Sequence, residues 1–328
     1  MKKGKYLLLL CSFFILTGCK NIPKLENGQE VVVEIEGKQF TADDFYEEIK
    51  KEYGASALIN MVDRYITDKE ISEEDKKAAE EEAKAEFDQY YAYYSSSWTD
   101  FLSYYGYNSD DELLEDLTIN YSQQKVLNKY IKENVITEEE INEYYENDIY
   151  GEMTVRHILI TPSVTDDMSE DEKTKAKEEA LDKAKDIIKE LKKSENLEED
   201  FIALAKEKSD DTGSASEGGL IENFTNESGL VEEFFDASLK LEVGKYTTDP
   251  VETQFGYHII YKVKQNDKPS LDSVKDKILS NITSELLSSS NASYIYWAGL
   301  REKYNMKIYD DVIGDNYKAT MNNLKKEN

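Results

Sequence analysis

The sequence predicts an α+β chain in which a small mixed domain interrupts a mostly helical one. Three observations predict it. Residues 55–146 keep a helical pattern and contain no proline. Residues 150–266 alternate between strand and helix patterns. An apolar helical face then resumes at Val274, Ile278, Ile282 and Leu286. That last segment is too short to fold by itself, so it is expected to pack on the first helices, which makes the middle an insertion.

The composition permits such a core and limits the partners. The chain has 328 residues, 39% hydrophobic and 33% charged, with a formal charge of −29. The length suits about two domains of roughly 150 residues each. A field this acidic repels phosphate backbones and argues against a nucleic-acid partner. Two cysteines make no disulfide scaffold, and two histidines supply little for a zinc enzyme.

The N-terminus sets the compartment. Lys2, Lys3 and Lys5 precede an apolar run from Leu7 to Leu16, followed by Thr17, Gly18 and Cys19. This is the basic, apolar and small-residue order of an export signal, and the run is too short to span a bilayer of about 30 Å. Leu16-Thr17-Gly18-Cys19 resembles a bacterial lipobox. The resemblance implies lipidation of Cys19 as the new N-terminus and a tether to the outer face of the cell membrane, with two acyl chains anchoring where one would not. Cys11 would leave with the signal, so no disulfide would form.

The expected organisation is a removed signal at 1–18, a tether at 19–28, and an N-terminal helical region at 29–148. The small domain takes 150–266, the C-terminal helical part 270–315, and a frayed tail 316–328. Val31 to Ile35 reads as a strand, with a turn at Gly37. Thr41 and Asp44 resemble a capping box for a helix carrying Phe45, Ile49 and Tyr53. Glu70 to Glu86 reads as a solvated helix face. Met153 to Thr161 is β-rich and stops at Pro162. Ala180, Ala184, Ile187, Ile188 and Leu191 share one face of a helix over 170–193. A short helix follows over about Asp200 to Glu207, then a glycine-bearing loop from Ser209 to Gly219. Phe234 to Leu241 reads as helix and Tyr257 to Val263 as strand, completing a β-α-α-β-α-β unit. Beyond Asp267-Lys-Pro269, a helix bears Tyr294, Trp297 and Leu300, and Met306 to Tyr309 reads as a strand.

No G-x-S-x-G, C-x-x-C, H-E-x-x-H or P-loop is present, and the spacing carries no metal signature. No cofactor is expected. The chemistry is expected at the only two histidines, His157 and His258, which sit in strands near the two ends of the small domain. Two satisfied core histidines are the bland alternative. It is weakened because the whole chain spends both histidines on one domain.

From Thr154 to Val263 the sequence resembles the parvulin-type peptidyl-prolyl isomerases. The resemblance rests on Arg156-His-Ile-Leu159, on Ser209-Asp-Asp-Thr-Gly-Ser214 followed by Gly218-Gly219, on Phe234 with Ala237, and on Gly244. It ends with Pro250-Val-Glu-Thr-Gln-Phe-Gly-Tyr-His-Ile-Ile260. The whole chain resembles the PrsA-type extracytoplasmic foldases, and Val31 to Ile49 resembles the opening of SurA-like chaperone domains. The resemblance implies an antiparallel sheet surrounded by helices, inserted in a chaperone domain made of N- and C-terminal segments. It assigns His157, His258 and Asp211 to catalysis, with Asp211 at the family's Cys-or-Asp position. It assigns Ile221, Leu230, Phe234 and Phe255 to the proline pocket. Gly218-Gly219 is followed by Leu220-Ile-Glu-Asn-Phe224, where the family commonly has Asp-Leu-Gly and an aromatic. That departure borders the pocket and leaves two functions open. One is an active isomerase and foldase. The other is a holdase of the same fold that only grips unfolded exported polypeptides. A solute-binding lipoprotein is a third reading, against which the long helical stretch argues.

The helical region adds one feature. Eight tyrosines and phenylalanines and Trp98 crowd residues 90–107. Most are expected in helix packing and a minority along a client groove. Oligomeric state is not legible.

Overall fold

The computed structural model describes residues 22–324 and Lys326. The expected signal and the expected lipidation site at Cys19 lie outside them. Among the described residues no helix is long and apolar enough to cross a membrane.

The chain begins with a hairpin of β1 (Val31–Ile35) and β2 (Lys38–Thr41). Glu36 and Gly37 have φ of 50° and 80°, the two left-handed residues that a tight hairpin turn requires. Thr41 then caps α1 (Ala42–Glu70) through a reciprocal box with Asp44. Ser72 caps α2 (Glu73–Tyr94), so the charged stretch is broken at Ile71 and Ser72. A 3-10 turn leads into α3 (Trp98–Tyr105), and Ser109 caps α4 (Asp110–Asn134).

Next come α5 (Glu138–Asp148), β3 (Met153–Ile160), α6 (Glu170–Leu191), α7 (Leu197–Lys208) and β4 (Leu220–Phe224). They are followed by α8 (Glu232–Lys240), β5 (Val251–Thr253), β6 (Gly256–Gln265) and α9 (Leu271–Leu286). The chain ends with α10 (Ala292–Lys303) and α11 (Asp311–Leu324).

Two compact units result. One joins the described residues up to Val135 with those from Glu285 onward; the other is Ile136–Ser284. These boundaries differ from those read in the sequence, because α5 and most of α9 cluster with the small sheet unit. They hold each other directly. Lys275 pairs with Glu138 at 2.9 Å and Asn281 Nδ2 donates to Tyr144 Oη at 2.9 Å, while Tyr145 Oη donates to Pro269 O, just ahead of α9, at 2.9 Å.

In the helical unit α1 packs on α4, α10 and α11, and α2 lies along α4. The N- and C-terminal segments are joined by a buried, bidentate pair: Arg301 donates from Nε and Nη2 to both Asp63 oxygens at 2.7 Å. Removing one member of such a pair would strand a buried charge, which is far costlier than losing a surface pair.

Two expectations fail in this tail. Met306 to Tyr309 is not a strand: among the described residues no strand pairs with it, and a four-residue alternation cannot satisfy its own backbone groups. Residues 316–324 are not frayed but belong to α11, where Ile313, Tyr317 and Met321 recur every fourth residue and Ile313 and Met321 are buried. That face was hidden among lysines and polar residues.

The sheet of the second unit is antiparallel throughout, in the order β4-β3-β6-β5. Its four strands exceed the three of the expected unit by the short β5, which forms a hairpin with β6. Side-chain alternation splits the central strands cleanly. Ile158, Ile160, Tyr257, Ile259 and Tyr261 face α6 and α7 in one core. Met153, Val155 and Ile260 face the opposite way, towards Phe224, Phe234 and Phe235.

Candidate functional site

His157 and His258 belong to that second face. Along β3, His157 keeps the parity of Met153 and Val155; along β6, His258 keeps that of Ile260. The register pairs Leu159 with His258 and His157 with Ile260, so the imidazoles are diagonal neighbours on adjacent strands. Their rings are nearly parallel, with centroids 5.4 Å apart. The Phe234 ring of α8 meets both edge-on, at 5.3 and 5.2 Å.

The loop after α7 brings the carboxylate. Leu159 N donates to Ser209 Oγ at 3.1 Å, Asp210 N to Leu159 O at 2.8 Å, and Thr161 N to Asp210 Oδ2 at 2.8 Å, which fixes the loop along the C-terminal part of β3 that β4 does not cover. It then turns through a 3-10 segment, Ala215–Glu217, whose Glu217 carbonyl accepts from Arg156 Nη1 at 2.8 Å. Gly219 closes the approach. His157 N donates to its carbonyl at 2.8 Å, and a side chain there would put Cβ 2.0 Å from His157 O, at a φ of 71°.

The result is one string of hydrogen bonds. His157 Nε2 lies 2.8 Å from Asp211 Oδ2 and 3.1 Å from Ser214 Oγ. His157 Nδ1 lies 3.2 Å from His258 Nδ1, and His258 Nε2 lies 2.9 Å from Thr253 Oγ1. An ionised carboxylate only accepts, so His157 carries its proton on Nε2. Its Nδ1 must then accept from His258 Nδ1–H, and His258 Nε2 must accept from the Thr253 hydroxyl. The Thr253 oxygen takes the Phe255 N–H at 3.1 Å. At the other end Ser214 Oγ donates to Asp211 Oδ2, and Gly213 N to Asp211 Oδ1 at 3.1 Å. Both rings are neutral in this arrangement.

The electrostatics agree. Burial pushes His157 below the ordinary imidazole range, against the opposing pull of Asp211. Burial, reinforced by the neighbouring His157, pushes His258 down to about 4. Burial by itself would raise Asp211, but the donors Ser214, His157 and Gly213 outweigh it and hold the carboxyl below its usual range. Near neutral pH the string therefore has one fixed negative end and no acid ready to release a proton. Asp211 keeps its side chain 30% exposed, so that end faces the surface.

The structure places Ile221 and Leu230, both half-buried, in one apolar cluster with the fully buried Phe234. Phe255 stands apart on the β5–β6 turn, 53% exposed. Beyond Gly219 the departing segment still forms β4. Its Asn223 adopts a φ of 51° near the register shift against β3, a conformation asparagine tolerates better than most residues. Sequence reading did not assign roles to Ser214 and Thr253, although both stand inside quoted motifs. A hydroxyl two or three residues from an assigned site residue was the available signal. Among the described residues no three His, Cys, Asp or Glu side chains converge as a metal site requires.

The Rotamase family, described as a PPIC-type PPIASE domain, matches residues 157–264. The foldase protein PrsA of Geobacillus kaustophilus is 30% identical over 289 residues, covering 85% of this chain and 84% of its own. That of Bacillus subtilis is 29% identical over 309 residues, covering 94% and 91%. The crystal structure of PrsA from Streptococcus pneumoniae superposes with a TM-score of 0.54 at 19% identity, covering 88% of this chain and 98% of that one; it bears on the fold alone.

Proposed function

The chain belongs to the PrsA foldase family, and on that premise we propose that it is a lipid-anchored extracytoplasmic foldase that isomerises X-Pro bonds in exported polypeptides. The observation that carries this reading is the string Asp211–His157–His258–Thr253 laid against Phe234. Rotation about an X-Pro amide meets a barrier of about 20 kcal/mol and takes tens of seconds uncatalysed. The twisted transition state has lost its C–N conjugation and much of the amide dipole. It needs neither a proton sink nor a metal. It needs a dry apolar cup for the ring and fixed dipoles that favour the twisted amide over the planar one. Ile221, Leu230 and Phe234 supply the cup, and the neutral imidazoles the dipoles. An acceleration of roughly 10³ requires about 4 kcal/mol. Unfolded exported chains are the substrate, and the tether is the lipid on Cys19.

Two neutral, fully hydrogen-bonded histidines also suit a structural pair, and Leu220 and Glu222 depart from the family's Asp and Gly. These features favour a second reading, a holdase without turnover. A protease-free exchange measurement on a prolyl peptide separates the two. His157→Ala and Asp211→Asn are expected to lower turnover about 10²-fold. No turnover by the wild-type chain, with aggregation of an unfolded client still suppressed, would leave only the holdase.

A further inference from the structure

Glu86 occupies an unusual position in the helical unit. It lies on the face of α2 that also bears Glu82, Tyr90 and Tyr93, and across from it α4 presents Tyr121. Tyr90 Oη donates to Glu86 Oε1 at 2.5 Å and Tyr121 Oη to Oε2 at 2.8 Å. Both donors are neutral. They orient the carboxylate without cancelling its charge, and the carboxylate raises Tyr90 to about 12, so the phenol keeps its proton. Among the described residues Glu86 makes no ion pair, whereas Glu82 is taken by Lys125 at 2.8 Å.

Two cavities of about 650 Å³ each open beside this carboxylate, and both are lined by Glu86, Tyr90 and Tyr121. One continues past Tyr93 and Tyr94. The other continues past Leu127 and Trp297. A half-buried, oriented, uncompensated carboxylate thus sits at the waist of an aromatic groove.

We propose that this groove binds basic segments of unfolded polypeptides, seating one arginine or lysine side chain on Glu86 between tyrosine rings. A guanidinium matches the site in three ways: it donates to the free lone pairs of the carboxylate, it stacks on phenol faces, and its methylene stem suits the apolar walls. Charge selects the occupant. The chain carries −29, so a second copy is repelled at range while a basic segment is drawn in. This pocket presupposes the chain-holding role proposed above and names the chemistry of what is held.

The test uses the full chain and fluorescence anisotropy. One probe is an extended, proline-free peptide with a single arginine among small apolar residues; the other is its citrulline twin. The arginine peptide is expected to bind about tenfold tighter. Glu86→Gln should erase that preference. Tyr93→Ala should weaken the arginine peptide severalfold, and because Tyr93 is 81% exposed its removal leaves the core untouched. Equal affinity of the two peptides for the wild-type chain overturns the pocket, as does a preference that survives Glu86→Gln. Self-association that Glu86→Gln abolishes in sedimentation, with peptide binding unchanged, assigns the groove to a second copy and overturns it as well. Without proline in the peptide, such a failure leaves the isomerase reading intact. A failed prolyl-exchange measurement, conversely, leaves the pocket intact.

Discussion

In the sheet unit, Phe234 is 3% exposed and lies edge-on to two buried imidazoles; in the helical unit, Tyr93 and Tyr104 stand 81% and 84% exposed on either side of a 3-10 turn. The same residue class does opposite work. Phe234 is held by Val155, Ile260 and Phe235 in a packed face, so under the proposed function the surface it would offer a proline ring is set in advance. The aromatic residues of α2, α3 and the turn after it divide. Trp98 and Phe101 are buried, with Tyr90, Tyr94 and Tyr107 packed against them, while Tyr91, Tyr93, Tyr104 and Tyr105 face outward. A geometry that must discriminate a twisted amide from a planar one needs rigidity. A surface that meets many unfolded sequences needs amphipathic side chains with room to move.

The largest effect that would sharpen this contrast is in packing. Phe201 is fully buried in the core behind the sheet, with its ring 5.6 Å from that of Tyr261. Phe201→Ala should cost about 3–5 kcal/mol in urea unfolding. Tyr104→Ala should change stability by less than about 0.5 kcal/mol. Comparable losses from the two would break the contrast, because Tyr104 would then be a core residue.

Next in size is the dependence on pH. His258 has a folded pKa near 4 against 6.5 unfolded. Between those values the unfolded chain binds more protons, so stability rises with pH there. The contribution is complete above about pH 6.5 and is lost as pH falls towards 4. It amounts to roughly 3 kcal/mol at most. Unfolding midpoints followed from pH 7 to 4 should drop, and His258→Gln should flatten the profile. An unchanged slope in that variant would mean that the buried imidazole is not neutral.

The smallest effect concerns Ser214, which donates to Asp211 and lies beside His157 Nε2. Ser214→Ala removes one donor from a carboxylate that keeps His157 and Gly213. Turnover should fall about fivefold, equivalent to about 1 kcal/mol. A loss as large as that of His157→Ala would make Ser214 a reacting-site group and not a positioning one.

Much of the architecture was legible. The buried face of α6 is the one the spacing marks, Ala180 to Leu191, and Thr41 caps α1 as its sequence implies. The histidine pair was legible because the chain has no others. What escaped was short or disguised: the three-residue β5, the helix α11 behind its polar residues, and the absence of a strand at Met306 to Tyr309. A three-residue strand carries too little pattern to detect, and a strand without a partner edge does not form however well it alternates.

The sequence by itself determined most of the longer elements, the placing of both histidines within one domain, and the family resemblance, since periodicity, caps and motifs are local properties of the chain. Only the tertiary structure decided the direction of the hydrogen-bond string, the roles of Ser214 and Thr253, and which tyrosines are buried. His157 stands 54 residues from Asp211 and 101 from His258. Contacts at such separations depend on strand register and helix packing, and a shift of one residue in β6 would turn His258 to the opposite face of the sheet.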